Sequence, residues 1–167
     1  MLFRSQIVID LGAAPGSWSE YARRQVGPSG RVLAVDVTAM SPLGGVDFIC
    51  GDIGDPAVLD LLAEALVDTA ADLVISDMAP NISGDAVADQ ARTLALGERV
   101  LEVAKETLRD GGQLLVKAFQ GEGFASLRGA MQPYFDEIHI CKPQASRSRS
   151  REIYLLGQGF HRPRDRL

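Results

Sequence analysis

Residues 7–18 read I-V-I-D-L-G-A-A-P-G-S-W, from Ile7 to Trp18. Ile7 to Ile9 form an apolar run of the kind that makes a short, fully buried strand, and Asp10 and Leu11 lead out of it. Gly12, Pro15 and Gly16 impose a tight turn, and from Ser17 onward Trp18, Tyr21, Ala22 and Val26 follow helical spacing. A strand, a glycine turn and a helix start together make a nucleotide-binding corner. Glycine lets backbone come close to a ligand, and the N–H groups of a helix start can bond to it. The spacing G-A-A-P-G is not G-x-G-x-x-G, so a dinucleotide fingerprint fits poorly. An ordinary tight turn between strand and helix has the same parts, so the corner alone leaves ligand binding open.

Outward from this corner, strands and helices alternate. Arg31–Val35 is a second apolar run ending at Asp36, and Val46–Cys50 is a third, followed by Gly51 and Asp52. Pro56–Val67 has helical spacing, with Asp55 placed to cap it and Pro56 at the first helical position. Ala71–Ser76 is a fourth strand that ends at Asp77. Asp89–Leu108 is a long amphipathic helix stopped by Asp110-Gly111-Gly112. Gln113–Phe119 is a fifth strand containing Lys117, and Ala125–Met131 is a short helix. Tyr134–Cys141 and Ile153–Leu156 close the chain as two strands joined by a basic loop. This alternation predicts one α/β domain over 1–167 with a mostly parallel sheet and helices on both faces. The last two strands have no helix between them and should pair antiparallel. Ligands in such folds bind at the carboxyl ends of the strands, near the switch in strand order. Asp36, Asp52, Asp77 and Lys117 all fall there.

Composition narrows the classes. The chain has 167 residues, 46% of them hydrophobic, enough for a real core. No run of about 18 apolar residues exists, so no membrane span is expected. The start reads as a core strand and not as a signal peptide. Cys50 and Cys141 lie far apart with no C-x-x-C, which suits reduced, structural thiols in a cytoplasmic protein. His139 and His161 have no partners at metal-ligand spacing, so no metal is expected. The net charge of −5 hides a split. Residues 142–167 carry seven basic and two acidic side chains, a net of +5, and the rest is net −10. A basic tail on an acidic body can dock on a phosphate backbone.

Chemistry concentrates at four positions. Asp36 lies about 20 residues beyond the glycine turn, where an acidic residue receives ribose hydroxyls and repels a 2′-phosphate. Asp52 could accept from an adenine amino group. Each alone reads equally as a solvated strand-end aspartate; together they point to an adenosine-containing cofactor. Asp77 and Lys117 each end an apolar strand with a charge, which is costly unless paired or functional. A structural ion pair would satisfy the same pattern. Glu152, at the start of the last strand, could face the same place.

The stretches D-L-G-A-A-P-G-S-W, S-D-M-A-P-N, V-K-A-F-Q-G-E-G-F and K-P-x-x-S-R-x-R-S-R-E resemble the FtsJ/RrmJ (RlmE) family of S-adenosylmethionine-dependent ribose 2′-O-methyltransferases over nearly the whole chain. The resemblance implies a Rossmann-like class I methyltransferase fold, with a seven-stranded, mostly parallel sheet and an antiparallel last strand. It is closest to the bacterial members that methylate a uridine ribose in the A-loop of 23S rRNA. It therefore implies a cytoplasmic monomer acting on the large ribosomal subunit. It implies catalytic roles for Lys117, Asp77 and Glu152, and cofactor contacts at Gly12, Gly16, Trp18, Asp36, Asp52 and Asp77. Arg147, Arg149 and Arg151 recur at every second residue, so an extended loop would turn them to one side, and with Lys142 they would hold RNA phosphates.

The family's site is a Lys-Asp-Lys-Glu tetrad whose first lysine precedes the first strand. This chain begins almost on that strand, and Lys105 and Lys142 sit elsewhere in the pattern. A late start assignment, a trimmed polypeptide and a lost catalytic group each account for it. The reading therefore expects weak methyl transfer from this chain. A lysine acting as base must shed its proton; burial and a neighbouring cation favour that, and carboxylates oppose it. The competing hypotheses are a catalytically impaired S-adenosylmethionine- and RNA-binding ribosome-assembly module and, less well matched, an NAD-linked oxidoreductase.

Overall fold

The computed structural model describes residues 4–80, 83–142 and 152–163. In chain order the elements are β1 (Ile7–Leu11), α1 (Ser17–Val26), β2 (Arg31–Asp36), β3 (Val46–Cys50), α2 (Pro56–Ala65), β4 (Ala71–Ser76), α3 (Ala86–Thr107), β5 (Leu108–Phe119), α4 (Glu122–Met131), β6 (Phe135–Cys141) and β7 (Glu152–Phe160). The strands form one seven-stranded sheet in the order β3-β2-β1-β4-β5-β7-β6. β1 to β5 run parallel, and β7 is antiparallel to both of its neighbours. The last strand in sequence is thus inserted between the fifth and the sixth. The order reverses at β1, where β2 lies on one side and β4 on the other, and the crevice opens at the carboxyl ends of β1 and β4.

Alternation along each strand sorts the core into two layers. Ile9, Leu11, Leu33, Val35, Val74, Leu114 and Val116 point to the layer that packs under α2, α3 and α4. Val8, Val32 and Ile75 point the other way, under Ala22 and Val26 of α1. The expected helices are on both faces, but unevenly: among the described residues one helix covers the second face and three cover the first. Burial of this kind stabilises by roughly 25 cal/mol per Å² of apolar surface. The continuous apolar runs of the central strands follow from their being covered on both faces.

Several boundaries differ from the sequence reading: α2 ends at Ala65, α4 starts at Glu122, and three others have a visible cause. α3 starts at Ala86, before Asp89, because Asp85 caps it, its carboxylate accepting from the N–H groups of Val87 and Ala88. Asp110-Gly111-Gly112 does not follow the helix but lies inside β5. Leu108 is buried and pairs with Ala71, and the register then shifts before Leu73 pairs with Gln113. An irregular strand tolerates glycines where a helix stop was expected. β7 continues past Leu156 to Phe160, because Gly157 leaves room for the ring of Phe135; a Cβ there would stand 2.7 Å from it. The cap of α2 is as expected, with Asp55 accepting from the N–H of Ala57 at 3.0 Å.

Candidate active site

The turn after β1 is held close to β2. The N–H groups of Gly12 and Ala13 both donate to the carbonyl of Val35, at 2.8 and 3.1 Å. Gly12 has φ +79°, and a Cβ on it would stand 2.1 Å from Cγ of Met78, so only glycine fits between the ends of β1 and β4. Gly16, also at positive φ, precedes the first turn of α1 without a side-chain cap. The result is an open mouth of about 640 Å³ at the switch point. Gly12, Asp36, Asp52 and Asp77 line it, with apolar walls from Met78, Pro80 and Leu96.

Asp36 anchors this mouth. Its Oδ2 accepts from the N–H of Ala14 at 2.9 Å and its Oδ1 from the N–H of Thr38 at 2.7 Å. The residue therefore ties the glycine turn to the end of β2. Asp52 is exposed on the neighbouring strand end and accepts from the N–H of Gly54 at 2.7 Å. Gly16 and Trp18 are not part of the lining. Trp18 lies on the α1 side, its ring 5.7 Å from that of Tyr154.

The strand-end charges meet beside the mouth. Lys117 is almost buried; its Nζ is 3.4 Å from Oδ1 of Asp77 and 3.1 Å from Oε1 of Glu152. Sheet register explains the meeting. Ser76 pairs with Val116, so Asp77 leaves β4 beside Lys117. Lys117 pairs with Tyr154 and Phe119 with Glu152 across β5 and β7, which puts Lys117, Tyr154 and Glu152 on one face. Tyr154 is the residue that the sequence reading passed over. Its hydroxyl donates a hydrogen bond to Oδ1 of Asp77. Burial first, and then the bond to Asp77 and the negative charges of Asp77 and Glu152, push the Tyr154 phenol above its ordinary range, so it remains a donor. The period of two from Glu152 was a visible signal for its face; its partner 77 residues away was not.

Asp10 is a second residue that the sequence did not single out. It is buried at 1% exposure and accepts from the Ser19 hydroxyl at 2.6 Å, which pins α1 to β1. Burial raises its carboxyl to about 6, the Ser19 bond opposes that, and the charges of Asp77 and Asp36 add to it. A carboxyl whose folded value lies above its unfolded one favours folding fully below about pH 4, and that contribution is lost as pH rises through about 6. Asn at this position keeps an acceptor for Ser19 without a charge. Asp10→Asn should therefore be more stable than the parent at pH 8 by roughly 1–3 kcal/mol and indistinguishable from it at pH 4. Urea unfolding at the two pH values checks this; an equal gain at both would refute the assignment to ionisation.

Lys142 follows β6 and is exposed at the end of the sheet where Glu152 starts β7. Arg147, Arg149 and Arg151 lie outside the described residues. Among the described residues no group of three or more His, Cys, Asp or Glu could hold a metal ion, and no helix is long and apolar enough to cross a membrane. Cys50 and Cys141 are free thiols.

Comparison with known proteins bears directly on this geometry. The family model of FtsJ-like methyltransferases matches residues 1–160. The chain belongs to the FtsJ-like methyltransferase family. A relative from Azoarcus sp. strain BH72, "Ribosomal RNA large subunit methyltransferase E", is 54% identical over 157 residues, 94% of this chain and 77% of that protein. A Plasmodium falciparum structure, provisionally described as a ribosomal RNA methyltransferase, superposes with a TM-score of 0.86 at 28% identity, covering 96% of this chain and 89% of that one. Human methyltransferase-like protein 13, solved in complex with SAH, shares the fold alone: TM-score 0.66 at 15% identity, covering 97% and 74% of the two chains. The fold is the class I methyltransferase fold, and this family member is a methyltransferase that takes its methyl group from S-adenosylmethionine. The mouth suits that donor. Carboxylates favour its cationic centres, the Asp36 carboxylate repels a 2′-phosphate, and Gly12 admits backbone contact.

Proposed function

We propose that the chain methylates a ribose 2′-hydroxyl of ribosomal RNA, and that its acceptor is a uridine in the A-loop of 23S rRNA in the large subunit. The observation that carries this reading is the Asp77–Lys117–Glu152 cluster beside the cofactor mouth. The naming of the Azoarcus relative as a large-subunit ribosomal RNA methyltransferase supports the RNA class; the family resemblance suggests the nucleotide. When bound, S-adenosylmethionine supplies an electrophilic methyl group. Gly12, Asp36, Asp52 and Asp77, which line the mouth, hold it in this reading, and the family resemblance adds Gly16 and Trp18 from the start of α1. Lys117 orients the ribose hydroxyl and accepts its proton as the oxygen reacts. Asp77 positions Lys117 from one side and Glu152 from the other, and Tyr154 fixes the Asp77 carboxylate. The domain spans 1–167 and works as a cytoplasmic monomer.

Two carboxylates stabilise the ammonium form of a lysine. This pairing is the observation that favours the second reading, a catalytically impaired S-adenosylmethionine- and RNA-binding assembly module. Transfer of tritiated methyl from S-adenosylmethionine to undermethylated large ribosomal subunits, followed by nuclease mapping, tests both. A single 2′-O-methylated nucleoside is the expected product. Cofactor and subunit binding without any transfer would select the second reading.

Lys142, Arg147, Arg149 and Arg151 would hold the RNA backbone, which positions the substrate without specifying its sequence. Binding to large subunits should then weaken with salt. The slope should fall by about one per arginine in an Arg147/Arg149/Arg151→Ala triple variant. An unchanged slope would remove this segment from the RNA contact.

A further inference from the structure

A second pocket, of about 260 Å³, lies between the N-terminal half of α3, the end of β5 and α4, and the reading above leaves it without a role. α3 is the wall between the two openings: Arg92, Ala95 and Leu96 line the cofactor mouth, whereas Gln90, Thr93 and Leu94 line the second pocket. Neighbouring positions on a helix diverge by about 100°, so one helix serves both. Phe119, Phe124 and Leu127 are among its apolar lining residues, and Gln90, Thr93 and Gln120 among its polar ones.

Two observations say what such a pocket holds. The first is its charge. Among the described residues its lining contains no lysine or arginine, and the one carboxylate there, Asp89, is already engaged by the N–H groups of Ser83 and Gly84 and by Arg92. A phosphate has nothing to bind there; a neutral planar group does. The second is its position. Phe119 lines the pocket, and its ring centre is 5.9 Å from Nζ of Lys117. A ribose whose 2′-oxygen sits at Lys117 carries its base on the adjacent carbon, so the base reaches this ring. Aromatic faces stack on any base, and a glutamine amide offers both donors and an acceptor to a base edge.

We infer that this pocket receives the nucleobase of the acceptor nucleotide, unstacked from the RNA, with Phe119 and Phe124 against its face and Gln90 and Gln120 at its edge. The inference rests on ribose methylation as the reaction and adds the site that selects the base. Gln90 and Gln120 already have contacts within the protein, which the base would exchange for its own.

Gly123 provides the test. A Cβ there meets Leu94 Cβ at 3.5 Å and Gln90 Cγ at 3.7 Å, ordinary contact distances, and a helix favours a side chain over glycine. Gly123→Leu should therefore fill the pocket without disturbing the fold. Melting temperature and S-adenosylmethionine affinity, by calorimetry, should stay at the parent's values. The kcat/KM for undermethylated large subunits should fall about 5- to 140-fold, the range that loss of one stacked base implies. Gly123→Ala should lose far less. If Gly123→Leu methylates as well as an active parent, the base pocket is wrong and ribose methylation stands; if the parent transfers no methyl, both fall. Should Gly123→Leu melt earlier than the parent, the Gln90→Ala/Gln120→Ala variant decides on the same readouts, an unchanged kcat/KM overturning the inference.

Discussion

Lys117→Ala should reduce methyl transfer roughly 10²–10⁴-fold while leaving S-adenosylmethionine affinity within about twofold, the size expected when a positioned proton acceptor is removed. The side chain is almost buried and contacts Asp77 and Glu152, but it is not part of the lining of the cofactor mouth. Its loss therefore touches the acceptor side and spares the donor side. Tritium transfer to undermethylated large subunits gives the rate, and calorimetry gives the affinity. A rate equal to the parent's would end the proposed role of Lys117.

Asp77→Ala should damage both halves of the reaction. Asp77 lines the cofactor mouth, pairs with Lys117 at 3.4 Å and accepts from Tyr154. Removing it frees Lys117 on that side, strips the partly buried Tyr154 hydroxyl of its acceptor and takes one negative charge from a mouth that binds a cation. A group left without its hydrogen-bond partner in such a place costs about 1–3 kcal/mol. We expect S-adenosylmethionine binding to weaken by about tenfold and transfer to fall by at least 10²-fold. Asp77→Asn, which keeps an acceptor for Tyr154, should recover more of the binding than of the rate. Binding at the parent's level in Asp77→Ala would show that the carboxylate serves the lysine alone.

Most of the element order was legible from local signals. A short continuous apolar run marks a strand covered on both faces and a period near 3.6 marks a helix, and Gly, Pro and Asp at the breaks are turn and cap residues for reasons that hold within a few residues of chain. Asp77 and Lys117 stand out because each ends an apolar run with a charge, and Asp36 and Asp52 because they follow the second and third strands beyond the glycine corner. Boundaries failed where a partner strand decided them: Leu108 joins β5 because Ala71 is beside it, and β7 reaches Phe160 because Phe135 packs on Gly157.

Local backbone preference and the cost of burying an unpaired charge suffice to specify an α/β chain with a glycine corner and a ring of strand-end charges. Only the tertiary structure decided which charges meet. Placing β7 between β5 and β6 sets Lys117 opposite Tyr154 and brings Glu152 to the same face. It also decided that Asp10 is buried against Ser19 and that α3 divides two openings. Strand order and register depend on contacts between segments tens of residues apart, whose closure entropy and packing no local pattern encodes.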